Sequence, residues 1–232
     1  MNWLIWLFIT VLILVNGCGS SNVNERASNF ELQSGDLLFQ DLDCGELCNA
    51  IERVTNGFEG CDFSHVGIVN KDEEGDIFVA EAVSTGVEMT ELSVFLNRTV
   101  DKNGQPKVMV GRLLKPYKKL IPIALERASL LIGKPYDKVF AMSNDAYYCS
   151  ELIYEIFLVA NDRVPVFELQ PMTFEDPDTG QTLAAWEKYF SDLCVSIPEG
   201  QPGISPGGIS RSDALTIVYA YGEPGRKPLS RR

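Results

Sequence analysis

The chain of 232 residues contains one histidine, His65, in the segment Ser64-His65-Val66-Gly67-Ile68-Val69. Any imidazole chemistry must use that side chain. A second reactive group, Cys149, lies in Tyr147-Tyr148-Cys149-Ser150-Glu151-Leu152. Leu152, Ile153, Ile156, Phe157 and Ala160 then recur at helical spacing, so the thiol falls at or near a helix N-terminus. Unpaired N–H groups and the helix dipole favour an anion there, and thiolate is the nucleophilic form of cysteine. A histidine beside it would stabilise the thiolate and then protonate a leaving group. The imidazole in turn needs a third group to fix its tautomer. Glu81 is the candidate, because it interrupts the apolar run Ile77-Phe78-Val79-Ala80-Glu81-Ala82-Val83. Each residue also has a plainer reading: a packed core thiol, a satisfied core histidine, an exposed carboxylate on a half-solvated strand.

The elements that must hold these groups can be read from periodicity and turn residues. Leu37 to Phe39, His65 to Val69, Ile77 to Val83, Lys107 to Leu113 and Leu215 to Ala220 read as strands. The charged turn from Lys71 to Asp76 joins the second and third as a hairpin, in which Glu81 can face the same way as His65. Helical spacing marks residues 43–58, Ile121 to Ile132 with Pro122 in its first turn and Gly133 closing it, and the segment starting near Cys149. The Pro- and Gly-rich stretch 196–210 reads as loop. Strands and helices are grouped rather than alternating, which predicts an α+β fold with an antiparallel sheet packed against helices.

Four short blocks resemble the NlpC superfamily of papain-like cysteine hydrolases. They are Gly35-Asp36-Leu37-Leu38-Phe39, the Ser64-His65-Val66-Gly67-Ile68-Val69 strand, Gly133-Lys134-Pro135-Tyr136-Asp137, and Tyr148-Cys149-Ser150-Glu151-Leu152. Their order is rotated relative to most members and is similar to the circularly permuted, YiiX-like branch. Trp186 to Phe190, the loop 198–208 and Ser210-Arg211-Ser212-Asp213-Ala214-Leu215 also look like that family, so the likeness spans residues 33–220. The resemblance implies a permuted papain-like fold, with Cys149 as nucleophile, His65 as base and Glu81 as the orienting residue. It places Tyr136 beside the nucleophile, where it could bind an oxyanion together with the Cys149 N–H. Asp36 reads as a turn residue. The implied reaction is hydrolysis of an amide through a thioester, with no cofactor. Cell-wall peptides, other amides and lipid acyl esters are the candidate substrates. A ligand-binding protein that keeps the cleft without turnover is a further alternative.

Six cysteines occur: Cys18, Cys44, Cys48, Cys61, Cys149 and Cys194. Cys44, Cys48, Cys61 and His65 form C-x3-C-x12-C-x3-H, a spacing that could bind zinc and would then consume the histidine. In an oxidising compartment the same thiols could instead supply one disulfide.

Trp3 to Val15 is apolar apart from Thr10 and shorter than the ~20 residues that span a bilayer. It suits a secretory signal, and Val15-Asn16-Gly17-Cys18 resembles a bacterial lipobox. The expected organisation is a lipoprotein signal at 1–17, lipidation at Cys18, a polar tether to residue 32, a hydrolase domain at 33–222 and a basic, solvated tail at 223–232. That places the protein in a bacterial cell envelope, periplasmic or at the outer membrane, with the membrane as a partner through Cys18. The net charge of −12 argues against nucleic acid, whose phosphates call for clustered Lys and Arg.

Overall fold

Apolar runs from residue 37 to residue 113, with a last one at 215–220, build the main sheet. The elements in chain order are β1 (Leu37–Gln40), α1 (Glu46–Val54), β2 (His65–Lys71), β3 (Ile77–Val83), β4 (Gly86–Glu91), α2 (Leu92–Leu96), β5 (Val108–Leu113), α3 (Ile121–Leu130), α4 (Cys149–Ala160), β6 (Gln170–Pro171), α5 (Ala184–Asp192), β7 (Pro202–Gly203), α6 (Pro206–Ser210) and β8 (Leu215–Ala220). This computed structural model describes residues 30–142 and 144–227. The expected signal segment 1–17, Cys18 and most of the expected tether lie outside the described residues, as do residues 228–232.

Six strands form one sheet in the order β4-β3-β2-β1-β5-β8, and every neighbouring pair is antiparallel. Its centre is buried on both faces: all of β1 and the first five residues of β2 are buried. That is why these strands read as continuous apolar runs rather than alternating ones. α4 packs against β2 and β3 and beside α3. Leu152, Ile153, Ile156 and Phe157 form its buried face and join Val66, Ile68, Ala80 and Ala82 of the sheet in one core. The α+β architecture, with an antiparallel sheet against helices, is the one the grouping of elements predicts.

Three stretches differ from the sequence reading. β4 and α2 extend the hairpin into a third strand and a short helix, ahead of the expected strand at 107. Gly86, at φ 119°, makes the turn into β4 possible without a Cβ pressing on the Lys134 carbonyl. The expected loop 196–210 holds β7 and α6, with Ser205 capping α6 by accepting from the Gly208 N–H at 3.0 Å. Lys227 is docked rather than solvated. Its Nζ donates to the Glu52, Arg53 and Thr55 carbonyls at the C-terminal end of α1, where a cation meets the negative end of the dipole.

Candidate active site

His65 is the first residue of β2 and Cys149 the first of α4, and the two elements pack together. Both residues are buried, at 4% and 6% exposure. His65 is hydrogen-bonded to Glu81 and lies close enough to Cys149 for the two to interact electrostatically. The bond to Glu81 uses Nε2, which lies 2.5 Å from Oε2. That leaves Nδ1 as the ring nitrogen available to a thiol.

The sheet register explains how Glu81 reaches the ring. Ile68 pairs with Ala80, which brings Gly67 opposite Glu81 and makes His65 its diagonal neighbour on the same face. Gly67 is what leaves the space open. A Cβ there would come within 2.4 Å of Val79 Cγ1 and 3.4 Å of Glu81 Cβ. Glu81 is fully buried and held on its other sides too. Arg98 donates Nη1 to Oε2 at 2.6 Å and Nη2 to Oε1 at 2.5 Å, and the Thr90 hydroxyl donates to Oε1. The Arg98 guanidinium lies 5.2 Å from the centre of the Phe95 ring, and that ring packs on His65 at 5.8 Å. Gln40, paired with His65 across β1 and β2, donates Nε2 to the Phe95 carbonyl at 2.8 Å.

These contacts decide the charge states. Burial alone would depress the His65 imidazolium, but its interactions with Cys149 and Glu81 outweigh that and push it up to about 9. Burial would raise Glu81, yet the hydrogen bonds from His65 and Arg98 outweigh it and hold the carboxyl at about 2. Glu81 is therefore a carboxylate at neutral pH, suited to fixing one ring nitrogen of His65.

A cleft of about 820 Å³ runs past Cys149. Tyr136 shares its wall and is half-buried; burial and the neighbouring Cys149 push its phenol up, so it stays protonated. Its hydroxyl makes no hydrogen bond among the described residues. The segment that carries it is pinned on two sides. Val87 N–H donates to the Lys134 carbonyl and Tyr147 N–H to the Pro135 carbonyl, at 2.9 and 3.0 Å. Tyr148 and Ser150 flank the nucleophile and fix the opposite wall: the Ile204 N–H donates to the Tyr148 hydroxyl, and the Ser150 hydroxyl donates to the Ile204 carbonyl. Asp36 holds the Gln33 N–H at 2.9 Å and pairs with Arg112, which makes it a structural residue of the β1 turn.

The zinc spacing does not converge. Cys44 and Cys48 form a disulfide, Cys61 is a buried free thiol 3.6 Å from the Met109 sulfur, and His65 is turned to Glu81. Among the described residues no three His, Cys, Asp or Glu side chains come together as metal ligands. Arg98, Thr90 and Gln40 are the site residues that sequence reasoning missed. Only Thr90 left a signal, in the alternation of Val87-Glu88-Met89-Thr90 after Gly86.

The chain resembles known proteins over most of its length. The chain is similar to an uncharacterized protein, YiiX, of Escherichia coli strain K12, with 27% identity over 198 residues, covering 84% of this chain and 90% of the relative. It is also similar to a solved structure described as metalloprotein yiiX from Escherichia coli O157:H7, at a TM-score of 0.67 and 25% identity, over 83% of this chain and 99% of that one. Residues 31–219 match the family described as "Permuted papain-like amidase enzyme, YaeF/YiiX, C92 family". With most of its length matched, the chain belongs to the permuted papain-like amidase family.

Proposed function

We propose that this protein is a cysteine hydrolase that cleaves an amide bond through a thioester, acting on peptides derived from the cell wall. The observation that carries the reading is the position of His65, which is hydrogen-bonded to Glu81 and interacts electrostatically with Cys149. In the first half-reaction the Cys149 thiolate attacks the carbonyl carbon, and the oxyanion accepts hydrogen bonds from the Cys149 N–H and the Tyr136 hydroxyl. His65, charged at that stage, gives its proton to the departing amine. In the second half-reaction neutral His65 takes a proton from water, the hydroxide attacks the thioester, and the thiolate is released. Glu81 keeps the ring oriented and stabilises its charged form throughout.

A mixed polar and apolar cleft suits a peptide better than a long acyl chain, which would call for an apolar channel. Hydrolysis of a lipid acyl ester is the second reading, because the same triad serves either carbonyl. The related E. coli protein is described as a metalloprotein. Here no group of three His, Cys, Asp or Glu side chains among the described residues could hold a metal ion. We further propose that Cys18 anchors the enzyme by lipid in a bacterial envelope, where such peptides occur.

The test is an assay of the purified full chain on peptidoglycan fragments and, in parallel, on acyl lipids, with Cys149→Ala as the blank. Release of a new amine from the fragments, lost in the blank, supports the reading. Turnover of the lipids alone replaces it with the second.

A further inference from the structure

Among its described lining residues the catalytic cleft carries a single cation, Arg211. Arg211 follows α6 and is exposed. Its Nε donates to the Asn56 carbonyl at 2.8 Å, and Asn56 lines the same cleft. This bond ties the end of α6 to the segment after α1 and restrains the plane of the guanidinium. The two Nη groups have no acceptor among the described residues, so a pre-oriented fork is left open.

The surroundings make this fork an exception. The chain carries a net charge of −12, which repels anions at long range. Glu168 and Asp213 place two more carboxylates on the lining of the cleft. Among the side chains of the described lining, an anionic group of a substrate therefore finds a cation at Arg211 alone. A planar guanidinium matches a carboxylate through two parallel N–H···O bonds, and fixing Nε in advance reduces the ordering cost of forming them. A neutral acyl chain gains nothing from such a fork.

We propose that Arg211 is a substrate-binding residue that takes a carboxylate, so that the amide cleaved at Cys149 belongs to an acidic peptide. This rests on the hydrolase reading above and narrows its substrate class.

The experiment uses the full chain carrying Cys149→Ala and two probes: L-Ala-γ-D-Glu-L-Lys and the same peptide with every carboxylate amidated. Binding is measured by calorimetry. The acid form should bind about tenfold more tightly, the scale of a charge-assisted hydrogen-bonded pair at a partly solvated site. Adding Arg211→Gln should abolish the preference, and Arg211→Lys should keep part of it. Equal binding of the two forms, no binding of either, or a preference that survives Arg211→Gln would overturn the proposal. Thermal unfolding of each variant shows whether it is folded. Turnover by the wild type separates the two ideas. An Arg211-dependent preference without cleavage removes the hydrolase reading and leaves the carboxylate site. Cleavage of both probes with the same kcat/KM, unchanged in Arg211→Gln, does the reverse.

Discussion

Arg98 and Glu81 meet through two parallel hydrogen bonds, at 2.6 and 2.5 Å, behind the only histidine of the chain. Glu81 is fully buried, whereas the Arg98 side chain keeps 24% exposure. The pair therefore joins a buried carboxylate to a cation that solvent still reaches. A carboxylate this deep needs its charge balanced, and His65 and Arg98 share that task.

Replacing Arg98 by Met leaves Glu81 with half of its side-chain hydrogen bonds, those from His65 and Thr90. We expect kcat to fall about tenfold, because the orientation of His65 loosens. KM should hardly move, since Arg98 does not line the cleft. Arg98→Lys restores charge but not the fork and should recover only part of the loss. Stability should drop by about 2 kcal/mol, less than for a fully buried pair because Arg98 is partly solvated. Steady-state kinetics and urea unfolding check both.

The two shifted groups fix the sign of a pH effect. His65 is raised, so its stabilising share is complete below its ordinary value of 6.5 and is lost as pH climbs through about 9. Glu81 is lowered, so its share is complete above its ordinary 4.5 and is lost as pH falls through about 2. The His65→Ala variant should therefore lose less stability than the wild type between pH 7 and pH 10. Wild-type kcat/KM should fall on the alkaline side near pH 9, where His65 can no longer protonate a leaving group. Unfolding and rate profiles across that range measure both arms.

Glu151 makes a second, separable contribution. It sits two residues after the nucleophile at 3% exposure, and burial raises its carboxyl to about 8 despite the Tyr148 N–H bond. A raised carboxyl stabilises below its ordinary range and loses that share as pH rises through its folded value. Glu151→Gln keeps an acceptor for Tyr148 and cannot ionise. Its melting temperature relative to the wild type should rise from pH 5 to pH 9, and scanning calorimetry at both values tests this.

Much of the site could be read along the chain. Cys149 and His65 stand where apolar periodicity begins, and Glu81 is a carboxylate inside an apolar run, so each announced itself against its neighbours. Arg98 did not, because it follows a short helix whose placement depends on packing Phe95 under the sheet. The Cys44–Cys48 disulfide was one option among three nearby thiols. It follows from the start of α1, which brings the two Cα atoms to 5.4 Å. Lys227 belongs to a basic run that reads as solvated, and only the folded chain brings the carbonyls of α1 to it. Local pattern thus located the reacting groups, while the residues that brace them needed tertiary structure.

Lys227 offers a test of that bracing. Its three carbonyl contacts close α1, and Ile51 and Val54 of α1 line the cleft. Lys227→Met should cost about 2 kcal/mol, as for a hydrogen-bonded charged group. It should also raise KM more than it lowers kcat, because it disturbs a wall of the cleft and leaves the triad in place. Urea unfolding and initial rates give both quantities.

The central claim is an activated Cys149–His65 pair, and site-resolved alkylation tests it most directly. Chloroacetamide labelling of the full chain at pH 7, quantified by mass spectrometry, compares Cys149 with Cys194, an exposed free thiol in the same molecule. Despite its burial, Cys149 should label at least about tenfold faster than Cys194, and His65→Ala should abolish that advantage. Labelling of Cys149 no faster than Cys194, and unchanged in His65→Ala, would contradict the account.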